Sequence, residues 1–192
     1  MARRKAEPRP KARLKLDGRA AVRLGLAFGL AMLFWFAFSA PYERTLAFGA
    51  ELILRVIERP AVTTLEASGG EIHVDRVDFP PASPRPGLPA ADVHFNFVLL
   101  AALFSLTSHP LRPRPFGRFW MAAGLLWGIH VVALVFQVES VYALRLGPWS
   151  AEHYGPFARN FWAAGFHFYQ IVGRFAAPFV LWWALGRPES DI

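Results

Sequence analysis

The sequence predicts an all-α membrane protein: a four-transmembrane-helix bundle with a small extracytoplasmic amphipathic helix and β-hairpin insertion. Three observations carry that expectation. Of the 192 residues, 54% are hydrophobic and 18% charged, against about 25% charged in a typical soluble domain. Long uncharged runs recur along the chain, each near the roughly 20 residues a spanning helix needs. Finally, the basic residues gather in segments that alternate spans place on one side.

Taken in order, residues 1–22 mix Arg, Lys and Pro with little apolar content and read as a disordered basic cytoplasmic tail. Nine of the 21 Lys and Arg residues lie within the first 23 positions. Such an arm suits anionic lipid and fixes orientation. No folded basic module or aromatic-interleaved reader follows it, so nucleic acid is not an expected partner. The first span covers 23–42, with no charge from Leu24 to Tyr42. A cleaved leader ending near Ala37-Phe38-Ser39 is the alternative, and the later spans favour an uncleaved helix.

Residues 43–91 are expected outside the membrane. Leu46, Ala50, Ile53 and Ile57 share one helical face, while Glu51, Arg55 and Arg59 share another, an amphipathic helix stopped by Pro60. Val62–Ser68 and Glu71–Val77 flank Gly69-Gly70 and predict a hairpin. Ile72 and Val74 alternate with His73 and Asp75, so one of its faces can be buried. Phe79–Pro89 reads as a Pro-rich connector without a ladder.

Residues 92–185 form the predicted core of three further spans, at about 93–111, 119–138 and 161–185. An Arg-rich connector holding Arg112, Arg114 and Arg118 joins the first two, and a loop over 139–160 joins the last two. Residues 186–192 are a short tail. With the N-terminus inside, the cytoplasmic side holds 13 Lys and Arg and four acids, and the opposite side seven Arg and ten acids. The expected topology is therefore multi-pass, with both termini cytoplasmic.

The candidate site is a row of polar residues on apolar spans. His167, Gln170 and Arg174 sit at offsets 0, +3 and +7, which is one face of an ideal helix. His130 and Gln137 are likewise seven apart. Lipid offers such groups no partners, so they are expected to face one another. Antiparallel packing would set Gln137 against His167 and His130 against Arg174. Asn96 and Glu139 would complete an intramembrane pocket of Asn96, His130, Gln137, Glu139, His167, Gln170 and Arg174. Interhelical hydrogen bonding accounts for such a row as well as a chemical role does. His94 and His109, near the ends of their run, can reach the interface and need no functional explanation. The pairs Gly25/Gly29 and Gly124/Gly128 are small-xxx-small spacings suited to close helix packing.

Chemistry is sparsely encoded. With no cysteine, disulfides, thiolate metal sites and cysteine nucleophiles are excluded. No H-E-x-x-H, G-x-S-x-G or phosphate-cradling loop occurs. The His73-Val74-Asp75 triplet matches no metal-ligand spacing. No cofactor, no metal and no catalytic residue is expected.

The stretches HFNFVLLAALFSL, RFWMAAGLLWGIHVVALVFQVES and GFHFYQIVGRFAAPFVLWW, spanning about residues 90–185, resemble the core of the exosortases and archaeosortases. Those sorting enzymes carry a Cys, an Arg and a third residue, His in exosortases, on successive spans. His167 stands in the place of the family His. The Cys position near Asn96 holds no thiol, and the Arg position near Gln137–Glu139 holds no Arg. The resemblance therefore implies an exosortase-related protein without transpeptidase activity, of the exosortase H-associated membrane protein type. It implies an accessory role, docking an exosortase-like membrane partner or its substrate. Two other readings are a membrane enzyme or proton- or ion-conducting subunit using the His/Arg row, and an assembly scaffold unrelated to sorting.

Overall fold

The computed structural model describes residues 18–58, 62–78, 85–107 and 110–186. The basic tail before Gly18, Pro60, most of the Pro-rich connector, His109 and the last six residues lie outside that set. Two helices are long and apolar enough to cross a membrane, Ala21–Ile57 and Pro113–Leu144.

Helix α1 runs unbroken from Gly18 to Ile57. The expected division at 42/43 between a first span and a separate amphipathic helix is absent. At 1.5 Å per residue α1 is about 60 Å long, twice the hydrocarbon thickness of a bilayer. Its first half presents Leu26, Leu30, Leu33 and Phe36 outward. Its second half buries Leu46, Ala47, Ala50 and Leu54, the stripe that had suggested amphipathicity. Pro41 lies inside the helix on its exposed side. A proline there removes one helical hydrogen bond, and packing on either side of it keeps the axis continuous. Arg55 pairs with Glu51 one turn back, as the spacing predicts.

Beyond α1, β1 (Thr63–Ser68) and β2 (Glu71–Arg76) pair antiparallel from Ser68↔Glu71 to Thr63↔Arg76. Gly69 and Gly70 both have positive φ, 61° and 80°, the conformation a two-residue hairpin turn demands. The end of the Pro-rich connector is not ladder-free. Gly87–Pro89 forms β3 on the open edge of β2, where Pro89, as the last residue, sits at an edge that tolerates a missing donor. Ile72, Val74 and Leu88 face inward and join Leu46, Leu54, Leu134, Val138 and Tyr142 in the main core.

The second predicted run is shorter and broken. Helix α2 covers Ala91–His94 and α3 Asn96–Phe104, after which the chain turns. Together they reach about 21 Å, less than the bilayer core. The Arg23 guanidinium, from the first turns of α1, donates to the carbonyls of Ser105 and Thr107. A cation thus covers the free carbonyls and negative dipole end of α3. Helix α4 extends over Pro113–Leu144, longer than the expected 119–138, with Pro113 at its first position. The region 139–160 is not a loop: α4 continues to Leu144, α5 covers Pro148–His153 and α6 begins at Pro156.

The last run joins α6 (Pro156–Phe168) to α7 (Arg174–Leu185) through a π-helical turn, Tyr169–Gly173. Helices α1 and α4 run side by side in the same direction, with Thr45 beside Trp127 and Gly49 against Val131. Helices α3 and α6–α7 run the other way. Leu100 and Phe104 of α3 meet Ala122 and Leu126 of α4 and Leu181 and Leu185 of α7. That leaves the starts of α1 and α4 and the end of α7 at one end of the bundle, with the sheet and α5 at the other.

Helix α6 approaches α4 at Gly165, where an added Cβ would lie 2.2 Å from the Phe136 ring. At Gly124 the same atom meets nothing within 4 Å. Gly165→Ala is therefore expected to lower stability by about 1–3 kcal/mol through overpacking. Gly124→Ala is expected to leave it unchanged or raise it by up to about 1 kcal/mol through helix propensity. Thermal unfolding of the detergent-solubilised chain checks both.

Candidate functional site

The buried polar cluster grows from one missing hydrogen atom. Pro178 lies inside α7, four residues after Arg174, so it cannot donate the helical hydrogen bond to the Arg174 carbonyl. Asn96 of α3 supplies the donor instead: its Nδ2 reaches that oxygen at 2.8 Å. A carbonyl only accepts, which fixes the amide orientation and turns Asn96 Oδ1 towards His130. His130 Nε2 lies 2.7 Å from Oδ1 and must donate, since Oδ1 can only accept. Nδ1 of the neutral ring is then an acceptor, and Tyr42 of α1 donates its O–H to it at 2.8 Å. One chain of hydrogen bonds, Tyr42–His130–Asn96–Arg174 carbonyl, thereby ties together α1, α4, α3 and α7. His130 is completely buried and Asn96 nearly so, so every polar atom of the chain needs the partner it has.

A second pair lies beside the first. His94 Nε2 is 3.2 Å from Glu43 Oε1, and both side chains are buried. Trp35 packs on the His94 ring at 4.6 Å between centroids. Tyr42 touches both His94 and His130 edge-on. His94 Nδ1 has no partner among the described residues. Tyr169, in the π-turn, donates to the Val93 carbonyl. Tyr42, Glu43 and His94 were absent from the sequence-derived pocket. The sequence places Tyr42 at the end of the first span, Glu43 in the extracytoplasmic helix and His94 within reach of the interface.

The other predicted residues are dispersed. Arg174 contributes its carbonyl to the cluster, while its guanidinium points to Asp92 at 3.8 Å. Both ring nitrogens of His130 are engaged elsewhere, so no His130–Arg174 pair forms. His167 is exposed and Gln170 partly buried. Gln137 is buried, its Oε1 has no partner among the described residues, and no hydrogen bond joins it to exposed His167. The π-turn explains the scatter. It takes one more residue per turn than an α-helix, so the face carrying His167 rotates by roughly 100° relative to that carrying Arg174.

Glu139 belongs to a different site, at the sheet end. A cavity of about 500 Å³ opens between β2, the end of α4, α5 and α6, lined by Glu58, Arg76, Asp78, Glu139, Trp149, His153, Tyr154 and Trp162 with Ile57 and Val62. Arg76 grips Asp78 through Nε at 2.9 Å and a second nitrogen at 3.0 Å, and reaches Glu58 at 3.5 Å. Its guanidinium lies over the rings of Tyr142 and Trp149. Glu58 also accepts from the Thr63 hydroxyl at 2.6 Å and backbone N–H at 3.1 Å, and Thr63 bonds the Tyr142 hydroxyl at 2.8 Å. Tyr154 donates to Glu139 Oε2 at 2.8 Å. Burial, then the neighbouring Glu139 carboxylate, push the Tyr154 phenol far above its ordinary range and keep it a donor. The hydrogen bonds from Arg76 hold the Asp78 carboxyl below the usual carboxylate range.

A third feature is apolar. A groove of about 900 Å³ runs between α4 and α6–α7, walled by Leu125, Val132, Phe136, Phe161, Phe168 and Val180 and floored by small residues including Gly128, Ala133, Ala164, Gly173 and Ala176. Among the described residues, nothing packs closely against the Cβ side of Gly124 and Gly128, nor of Gly25 and Gly29. A Cβ on any of the four would meet nothing within 4 Å. Among the described residues, no three His, Asp or Glu side chains converge as metal ligands.

A family model described as exosortase H-associated membrane protein matches residues 17–189. No curated protein and no solved structure matches the chain.

Asn96→Ala should leave the Arg174 carbonyl and His130 Nε2 unsatisfied in a buried site and lower stability by about 1–3 kcal/mol. Introducing Pro178→Ala first restores the helical donor, so Asn96→Ala in that background should cost less, measured as a double-mutant cycle on thermal unfolding. His167→Ala, at an exposed position, should shift stability by no more than about 0.5 kcal/mol. The pH dependence has a definite sign: Asp78, with its pKa depressed in the fold, stabilises above its unfolded value of about 3.9. That contribution disappears as pH falls through the lower folded value. Asp78→Asn should flatten the acid limb of the stability–pH profile, an effect kept small by the exposure of the side chain.

Proposed function

Because the chain belongs to the exosortase H-associated membrane protein family, we propose that it is a non-catalytic accessory protein of an exosortase-type sorting system in the bacterial inner membrane. In this reading all four helical runs are set in the bilayer with both termini cytoplasmic. The groove between α4 and α6–α7 seats a transmembrane helix of the sorting enzyme.

The groove is the observation that carries the docking role. It is almost wholly apolar, and its floor of Gly and Ala lets a second helix backbone come close. In lipid, where hydrophobicity does not separate helix from acyl chain, such contact supplies the van der Waals energy of association. Gly124 and Gly128, where an added Cβ would meet nothing within 4 Å among the described residues, extend the same face. His167 supports the reading too. An exposed imidazole one step round the helix from Ala164 and Phe168 is poorly solvated by acyl chains, and a partner's polar group would relieve it. The same geometry gives no support to transpeptidase chemistry, for which the chain has no thiol.

The test is site-specific photocrosslinking in cells that co-express the exosortase. A photoreactive residue at Val132, within the groove, should give an adduct whose mass equals this chain plus the exosortase. One at Leu30, on the outward face of α1, should not. Ala164→Trp, which fills the groove, should reduce the Val132 adduct at least tenfold. An adduct of equal yield from both positions, or one indifferent to Ala164→Trp, would remove the groove from the reading.

A further inference from the structure

We infer that the cavity at the sheet end is a binding site for an organic cation of the guanidinium class, held by Glu139. The inference does not depend on the membrane-depth groove or on an exosortase partner.

Charge accounting comes first. Arg76, the Arg among the described residues lining the cavity, is already engaged by Asp78 on one side and Glu58 on the other. Glu58 is further satisfied by Thr63 through its hydroxyl and its backbone N–H. Glu139 is left over. It is 96% buried, being 4% exposed, yet among the described residues it accepts a single hydrogen bond, from Tyr154 on Oε2. Among those residues no cation forms an ion pair with it: Arg76 acts on it only at longer range, and burial pushes its carboxyl above the usual carboxylate range, which an incoming cation would reverse. A carboxylate removed from water normally acquires a cation or several donors. Here the space beside it is a cavity of about 500 Å³, enough for a side-chain-sized group.

The walls select the kind of cation. Trp149, Tyr154 and Trp162 present aromatic surface to the cavity. A planar guanidinium can stack on such a ring while presenting two parallel N–H donors to one carboxylate. The chain demonstrates the same recognition with its own Arg76, which lies 4.9 Å from the Trp149 ring centre while gripping Asp78 through two nitrogens. A bare metal ion fits less well, since Glu58 and Asp78 are taken by Arg76 and no three His, Asp or Glu side chains among the described residues converge as ligands. The ligand is therefore an alkylguanidinium, presented free or on an arginine side chain.

Isothermal titration of the full chain in detergent micelles tests this with three probes: N-acetyl-arginine amide, its neutral isostere N-acetyl-citrulline amide, and methylguanidinium. The arginine compound should bind at least tenfold more tightly than the citrulline compound. Glu139→Gln should abolish that preference, and Trp162→Leu should weaken arginine binding several-fold without abolishing the preference. Methylguanidinium matching the arginine compound identifies a small free cation as the ligand; a clear advantage for the arginine compound identifies a polypeptide. Equal binding of arginine and citrulline compounds to the unaltered chain, no binding of either, or an undiminished preference in a folded Glu139→Gln variant would each overturn the assignment.

Discussion

The constraint on which the bundle depends is the carbonyl that Pro178 leaves without a helical donor. A buried carbonyl without a helical donor needs one from elsewhere, and another helix supplies it. Asn96 does so, and this commits its own oxygen to His130, whose remaining nitrogen is committed to Tyr42. Each link is dictated by the one before, because a carbonyl can only accept and a neutral imidazole carries one proton. Four helices are held in register by three hydrogen bonds, where apolar packing alone would allow sliding. The modest average value of such bonds in membranes matters less here than the penalty for leaving any of them unmade.

The sheet end is organised by a different rule. There α1 projects beyond the length a bilayer needs and lays its Leu46–Leu54 stripe against the inner face of the three-stranded sheet. Arg76 at the end of β2 connects sheet, α4 and α5 by ion pairs to Glu58 and Asp78 and by contact with two aromatic rings. Glu139 lines the cavity there and, among the described residues, forms no ion pair of its own. The structure thus separates two functions that the linear sequence runs together: a sealed polar pin in the bundle, and an open polar cavity at its end.

Family membership and geometry meet at the face made by α4 and α6–α7. Gly124 and Gly128 were legible as a small-residue pair, but among the described residues nothing closes on the pair's Cβ side. Among the described residues, that small-residue face is left open. The π-turn contributes to that face, because Gly173 and Tyr169 within it line the groove.

Composition, charge placement and periodicity were sufficient to establish a membrane protein with a Gly-Gly hairpin, a Glu51–Arg55 pair and several of its polar anchors, Asn96 and His130 among them. These depend on local pattern, which a linear chain carries in full. What it could not carry was the outcome of competition between elements. Tertiary packing fused the first span with the amphipathic stretch, because Glu43 found His94 and Leu46–Leu54 found the sheet. A π-turn rotated His167 off the face of Arg174, so a row that an ideal 3.6-residue period aligns came apart. Glu139 went to the sheet end because α4 ran on past Val138. Whether a polar side chain pins the bundle, lines a cavity or faces outward depends on the neighbours that arrive from elsewhere in the chain, and only the folded structure brings them.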